Sequence, residues 1–263
     1  MNKVQTEDAF IKKRIQRQKQ MRKRRAKIFF ALFTVLLLLT ATVLSLTVFF
    51  PVENIEVSGS LVYSETQILA ELEEYKGSNL FTVSGKSMED TIKARLPYVE
   101  SISLKRKLPG TVIVTVTDAD KYLCYKVGEK YYTVSQSGWV MEQTDEEPKN
   151  ITVVSGADTE CKVGSEIIYS QVDIKSLIEE INSALSGASV KAQSIDLSDR
   201  LNITLFVENR FFVELGTENN LTQKIKHLGG MITSISKEKS GKIDLSMWEE
   251  HNMQGTFKEY AEE

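Results

Sequence analysis

From Ile28 to Phe50 the chain runs without a single charged side chain. No other stretch limits its possible folds as strongly. As a helix rising about 1.5 Å per residue it reaches roughly 34 Å, enough for a bilayer core of about 30 Å. Leu36 to Leu39 is its most apolar part. Its polar members, Thr34, Thr40, Thr42, Ser45 and Thr47, can return their hydroxyl protons to helix carbonyls. A cleaved signal peptide has an apolar region of about 7–15 residues that ends in small side chains. This run is longer and closes on Phe49-Phe50-Pro51, so an uncleaved transmembrane helix is expected.

The flanks set its orientation. Residues 1–27 carry eleven Lys and Arg against Glu7 and Asp8, while the whole chain has a net charge of −3. Cations beside a span are held on the cytoplasmic side. The amino terminus is therefore expected inside and Pro51 onward outside, as a single-pass type II membrane protein. The basic tail suits anionic lipid headgroups. No aromatic side chain interleaves its Arg clusters, and the remainder of the chain is acidic, which argues against nucleic acid. No second apolar run approaches 18 residues, so a multispan transporter is excluded. Cys124 and Cys161 both fall in the exported part, as two unpaired core thiols or one disulfide. With only His227 and His251 beside them and no Cys-x-x-Cys spacing, no metal site is expected.

After the membrane the pattern reads strand, helix, helix, strand, strand. Ile55 and Val57 share one face of a strand that Gly59 turns. Ser64 with Gln67 three residues on caps a helix whose stripe is Ile68, Leu69, Leu72 and Tyr75. A second helix starts at Ser87-Met88-Glu89-Asp90 and stops before Pro97. Val99, Ile102 and Leu104 enter a strand, and Thr111 to Thr117 returns with Val112, Val114 and Val116 on one face.

Four motifs stand out in order: Ile55-x-Val57-x-Gly59, Asn79-Leu80-Phe81, Leu96-Pro97-x-Val99 and Arg106-x-x-Pro109-Gly110-Thr111. Together they resemble a POTRA domain. Directly after one span and a basic tail, the unit resembles the FtsQ/DivIB family of bacterial cell-division proteins. The remainder agrees: a hairpin at Gly128-Glu129, then Ser135-Gln136-Ser137-Gly138, then a helix through Ile174, Leu177, Ile178, Ile181 and Leu185. Strands at Ser194–Leu197, Ile203–Val207 and Phe211–Leu215 precede a helix of the Lys224-x-x-x-Leu228 type, whose middle Gly229-Gly230 weakens. A closing Ile243-Asp244-Leu245 strand follows.

The expected fold class is α+β. It comprises a basic tail (1–27), a transmembrane helix (28–50), a POTRA domain of order β-α-α-β-β (51–120) and a mostly antiparallel β domain with two helices (121–248). An acid-rich tail (249–263) is expected to be mobile.

No catalytic set is present: no Gly-x-Ser-x-Gly elbow, Ser-x-x-Lys, phosphate loop or metal spacing. No cofactor and no small-molecule substrate are expected. The resemblance implies a scaffold that binds FtsB/DivIC-like and FtsL-like bitopic proteins at the septum through the carboxy-terminal edge of the β domain. An edge strand binds by main-chain hydrogen bonds. Lys242 to Met247 is the expected edge, with Ile243, Asp244, Leu245, Ser246, Met247 and Trp248 as partner-binding residues. Asp244 either meets a partner or orders the turn after it, and Trp248 either anchors a partner or folds onto the last helix. A second reading is a POTRA-bearing chaperone or secretion accessory for extended exported chains.

Overall fold

The computed structural model describes residues 21, 25, 27–43, 45, 49–247 and 255–260. Residues 27–43 are helical. Thr34, Thr40 and Thr42 donate their hydroxyls to the carbonyls of Phe30, Leu37 and Leu38 at 2.8–2.9 Å, as an apolar environment would require. Parts of the expected span, residues 44 and 46–48, lie outside the described set. Among the described residues no helix is long and apolar enough to cross a membrane.

Two compact units follow from the contacts: Met1–Ile55 with Tyr75–Val83 and Arg106–Val112, and Glu56–Glu74 with Ser84–Lys105 and Ile113–Glu263. In the smaller unit two of the four motifs have plain structural reasons. Asn79 Oδ1 accepts the Phe81 and Thr82 amides, making a side-chain turn. Arg106 donates to the carbonyls of Leu80 and Val83 at 2.8 and 2.7 Å. Gly110 presents its carbonyl to the Glu53 and Asn54 amides, and a Cβ there would stand 2.6 Å from the Pro51 carbonyl oxygen.

The three-stranded sheet has the order β1-β3-β2, from β1 (Asn54–Ser58), β2 (Val99–Lys107) and β3 (Thr111–Asp118). Helix α1 (Glu65–Leu72) begins with the expected capping box: Ser64 Oγ accepts from Gln67 N, and Gln67 Oε1 accepts from Ser64 N. Helix α2 (Gly85–Arg95) starts earlier than the sequence suggested, because Ser84 rather than a later serine caps it, accepting from Ser87 N.

The second sheet has nine strands, in the order β14-β13-β12-β11-β10-β7-β4-β5-β6. They are β4 (Leu123–Val127), β5 (Lys130–Val134), β6 (Val140–Thr144), β7 (Thr152–Ser155), β10 (Ala192–Asp196), β11 (Ile203–Val207), β12 (Phe211–Gly216), β13 (Gly241–Asp244) and β14 (Thr256–Glu259). A small hairpin, β8 (Thr159–Glu160) with β9 (Ile168–Tyr169), stands apart. Three pairings are parallel: β4 with β7, β7 with β10, and β12 with β13. Parallel neighbours need a long crossover. Helix α3 (Val172–Gly187) makes it between β7 and β10, and α4 (Leu221–Ser234) between β12 and β13. Both helices join one core with Tyr125, Ile195, Leu205, Val213 and Ile243 of the sheet. Cys124 and Cys161 are both unpaired, Cys124 within a small cluster with Tyr131 and Val153.

Two expectations are corrected. The acid-rich tail is not mobile throughout: residues 256–259 form β14, paired antiparallel with β13. The segment beginning at Lys242 is therefore not the edge of the sheet. The reason is side-chain shape, since Gly255 and Gly241 let the tail lie close against β13 and the last helix (see below).

Candidate functional site

The end of the nine-stranded sheet is built from β12, β13 and β14. On its inner side β13 runs parallel to β12, placing Ile243 beside Val213 and Asp244 beside Glu214. Ile243 and Leu245 are fully buried. The Leu245 amide continues the ladder, donating to the Glu214 carbonyl at 2.8 Å. Lys242 Nζ meets Glu214 Oε1 at 2.6 Å, and that hydrogen bond raises the lysine pKa.

Asp244 orders the turn after it. Its Oδ1 accepts from Ser246 N at 2.9 Å and from Ser246 Oγ at 2.7 Å. Partial burial pushes the carboxyl up, but those hydrogen bonds and nearby Lys242 more than reverse it, leaving it below the ordinary aspartate value. Gly216 makes room for this turn: it has φ +70°, and a Cβ there would lie 2.9 Å from Ser246 Cα. Behind it the buried Lys224 donates to the carbonyls of Leu215 and Thr217 at 2.6 and 3.1 Å. Burial lowers the pKa of that ammonium. This accounts for the Lys224-x-x-x-Leu228 motif, because Lys224 ties the strand end to the helix that crosses over it.

On the outer side β14 covers β13, with Ile243 beside Phe257 and Asp244 beside Thr256. Phe257 meets Phe211 edge to face, with ring centroids 5.9 Å apart. A Cβ on Gly241 would fall 2.3 Å from the Lys258 carbonyl oxygen, and one on Gly255 would fall 2.7 Å from both Leu245 Cδ2 and Met231 Sδ. Glu259 pairs with Lys239 at 2.9 Å.

The structure thus brings Ile243, Asp244, Leu245 and Ser246 together at one sheet end, with Met247 beside them and 82% exposed. Trp248 lies outside the described residues. Reading the sequence missed Phe257 and Gly255. Their signal was a glycine two residues before an aromatic inside an acid-rich tail, too short to rise above background. Among the described residues no group of three or more His, Cys, Asp or Glu side chains is placed to hold a metal ion.

A family model described as POTRA domain, FtsQ-type, matches residues 50–118. A second, described as cell division protein FtsQ/DivIB, C-terminal, matches residues 124–246. The cell division protein DivIB of Clostridium acetobutylicum is 25% identical over 202 residues, covering 75% of this chain and 80% of the relative. Its counterpart in Clostridium botulinum (strain Hall) is 25% identical over 235 residues, covering 87% and 90%. The major extracytoplasmic domain of DivIB from Geobacillus stearothermophilus gives a TM-score of 0.27 at 12% identity, over 46% of this chain and 98% of that one. With both modules matched in order along most of its length, the chain belongs to the FtsQ/DivIB family of bacterial cell-division proteins.

Proposed function

We propose that the chain is a bitopic scaffold of the divisome. Residues 28–50 tether it, with the amino terminus in the cytoplasm and Pro51 onward outside. At the septum it gathers FtsB/DivIC-like and FtsL-like bitopic proteins and so links early division proteins to septal peptidoglycan synthesis.

What supports this reading most is the sheet end around Ile243 to Met247, which closes the module that matches the FtsQ/DivIB model. A sheet end offers a row of backbone donors and acceptors to an incoming strand. Ile243 and Leu245 keep their side chains in the core, so they would contribute main chain only, and the outer side of Ile243 is paired with Phe257 of β14. Asp244 and Ser246 set where the strand stops. Met247 supplies an exposed apolar side chain, and Trp248, next in sequence, is of the residue type most enriched in interface anchors.

Two measurements test this. A photo-reactive residue in place of Met247, in dividing cells, should give an adduct with the FtsB/DivIC-like or FtsL-like protein. A fluorescent fusion of the intact chain should form a mid-cell band. A uniform cell outline with no adduct would overturn the reading.

A further inference from the structure

The strand that caps the candidate site belongs to this same chain and lies beyond the family module. The FtsQ/DivIB match ends at residue 246, and β14 begins at Thr256. The matched module thus includes β13 but not the strand on its outer side, and in this chain that side is occupied by β14. Beyond its four-residue backbone ladder with β13, few side chains hold the occupant. Of its four residues only Phe257 is partly buried and packs on the core, while Thr256, Lys258 and Glu259 are exposed. Its one ion pair among the described residues, Lys239 with Glu259, is half exposed on both sides and adds little. Yet its seat is shaped for a strand: Gly241 removes the side chain that would strike it, and Phe211 meets the aromatic it carries edge to face.

We propose that β14 is a built-in stand-in for the partner's strand, and that the partner binds by displacing it from β13. This rests on the partner-binding reading above. The occupant also describes the ligand. It is an extended antiparallel segment with an aromatic or large apolar side chain opposite Ile243, to lie on Phe211. Two residues before that it carries a glycine or a similarly small residue, because Leu245 and Met231 close in on Gly255. While β14 is docked the site is blocked, so apparent affinity is reduced by the fraction of time the edge is free.

The test is hydrogen exchange on the full-length chain in nanodiscs, with and without the purified FtsB/DivIC-like protein of the same organism. Partner binding should speed exchange across residues 255–260 and leave residues 241–245 protected. In parallel, Phe257→Asp should release β14 and tighten partner binding roughly ten-fold, while Lys258→Ala, at an exposed position, should change it little. Unchanged or greater protection of 255–260 on binding, or weaker binding by Phe257→Asp, would overturn the displacement and leave the partner reading standing. A partner that binds none of these forms would overturn the partner reading, and displacement with it.

Discussion

At the scale of single residues, one carboxylate joins the POTRA elements to the β domain within the larger unit. Glu142 accepts from Tyr98 Oη, from Lys121 Nζ at 2.5 Å and from Thr133 Oγ1 at 3.1 Å. Nearby, the Trp139 indole donates to the Lys93 carbonyl, and Lys93 Nζ sits 4.9 Å from that ring's centroid. Burial raises the Glu142 carboxyl, but the hydrogen bonds from Lys121 and Tyr98 outweigh it, so its pKa lies below the ordinary value. The stability it contributes is present above the unfolded pKa of about 4.3 and is lost as pH falls through the lower folded value. Glu142→Gln should therefore flatten the acid limb of stability below about pH 4.3, followed by urea midpoint. Tyr98→Phe should cost roughly 1–2 kcal/mol at pH 7, since it removes a hydrogen bond to a charged group. Lys224→Met should cost about 2 kcal/mol, because it leaves the Leu215 and Thr217 carbonyls without their buried donor. Asp244 accepts two hydrogen bonds from Ser246 and so orders the turn after β13.

At the scale of elements, periodicity and caps carried far. The Ser64–Gln67 capping box, the Gly128 hairpin, strand β11 and the stripe of α3 stand where the alternation and 3.6-residue spacing placed them. Gly229 and Gly230 show what spacing does not reveal. A Cβ on Gly229 would lie 3.0 Å from the Ala188 carbonyl oxygen, whereas one on Gly230 meets nothing within 4 Å. The first glycine is kept by close approach of α4 to the end of α3, and the second has no such contact. Gly230→Ala should stabilise the chain by about 0.5–1 kcal/mol. Gly229→Ala should gain nothing or lose stability. Thermal unfolding of the two variants side by side checks the contrast.

Across the whole molecule, several acids keep their protons longer than free ones. Burial, first among the causes, raises Tyr63, Tyr98, Tyr125, Tyr169, Cys124 and Cys161, with Cys124 pushed up to about 11. Their contribution to stability is whole below the unfolded values, near 8.5 for Cys and 10 for Tyr, and is lost as pH rises through the folded ones. Lys224, lowered by burial, works in the opposite sense, but it is one group against six. The unfolding midpoint should therefore fall steadily above about pH 9. A midpoint flat to pH 11 would contradict that.

Local physics was enough to read the elements and the family. Apolar alternation, capping side chains, turn glycines and the ordered POTRA motifs act over a few residues and leave their mark in the sequence. Which strand stands outermost was decided only in three dimensions. A four-residue strand has little propensity of its own, and it exists because the distant Gly241 and the Phe211 ring leave a seat its own length against β13, which Gly255 lets the chain enter. That juxtaposition joins residues about 15–45 apart in sequence, which no local pattern records.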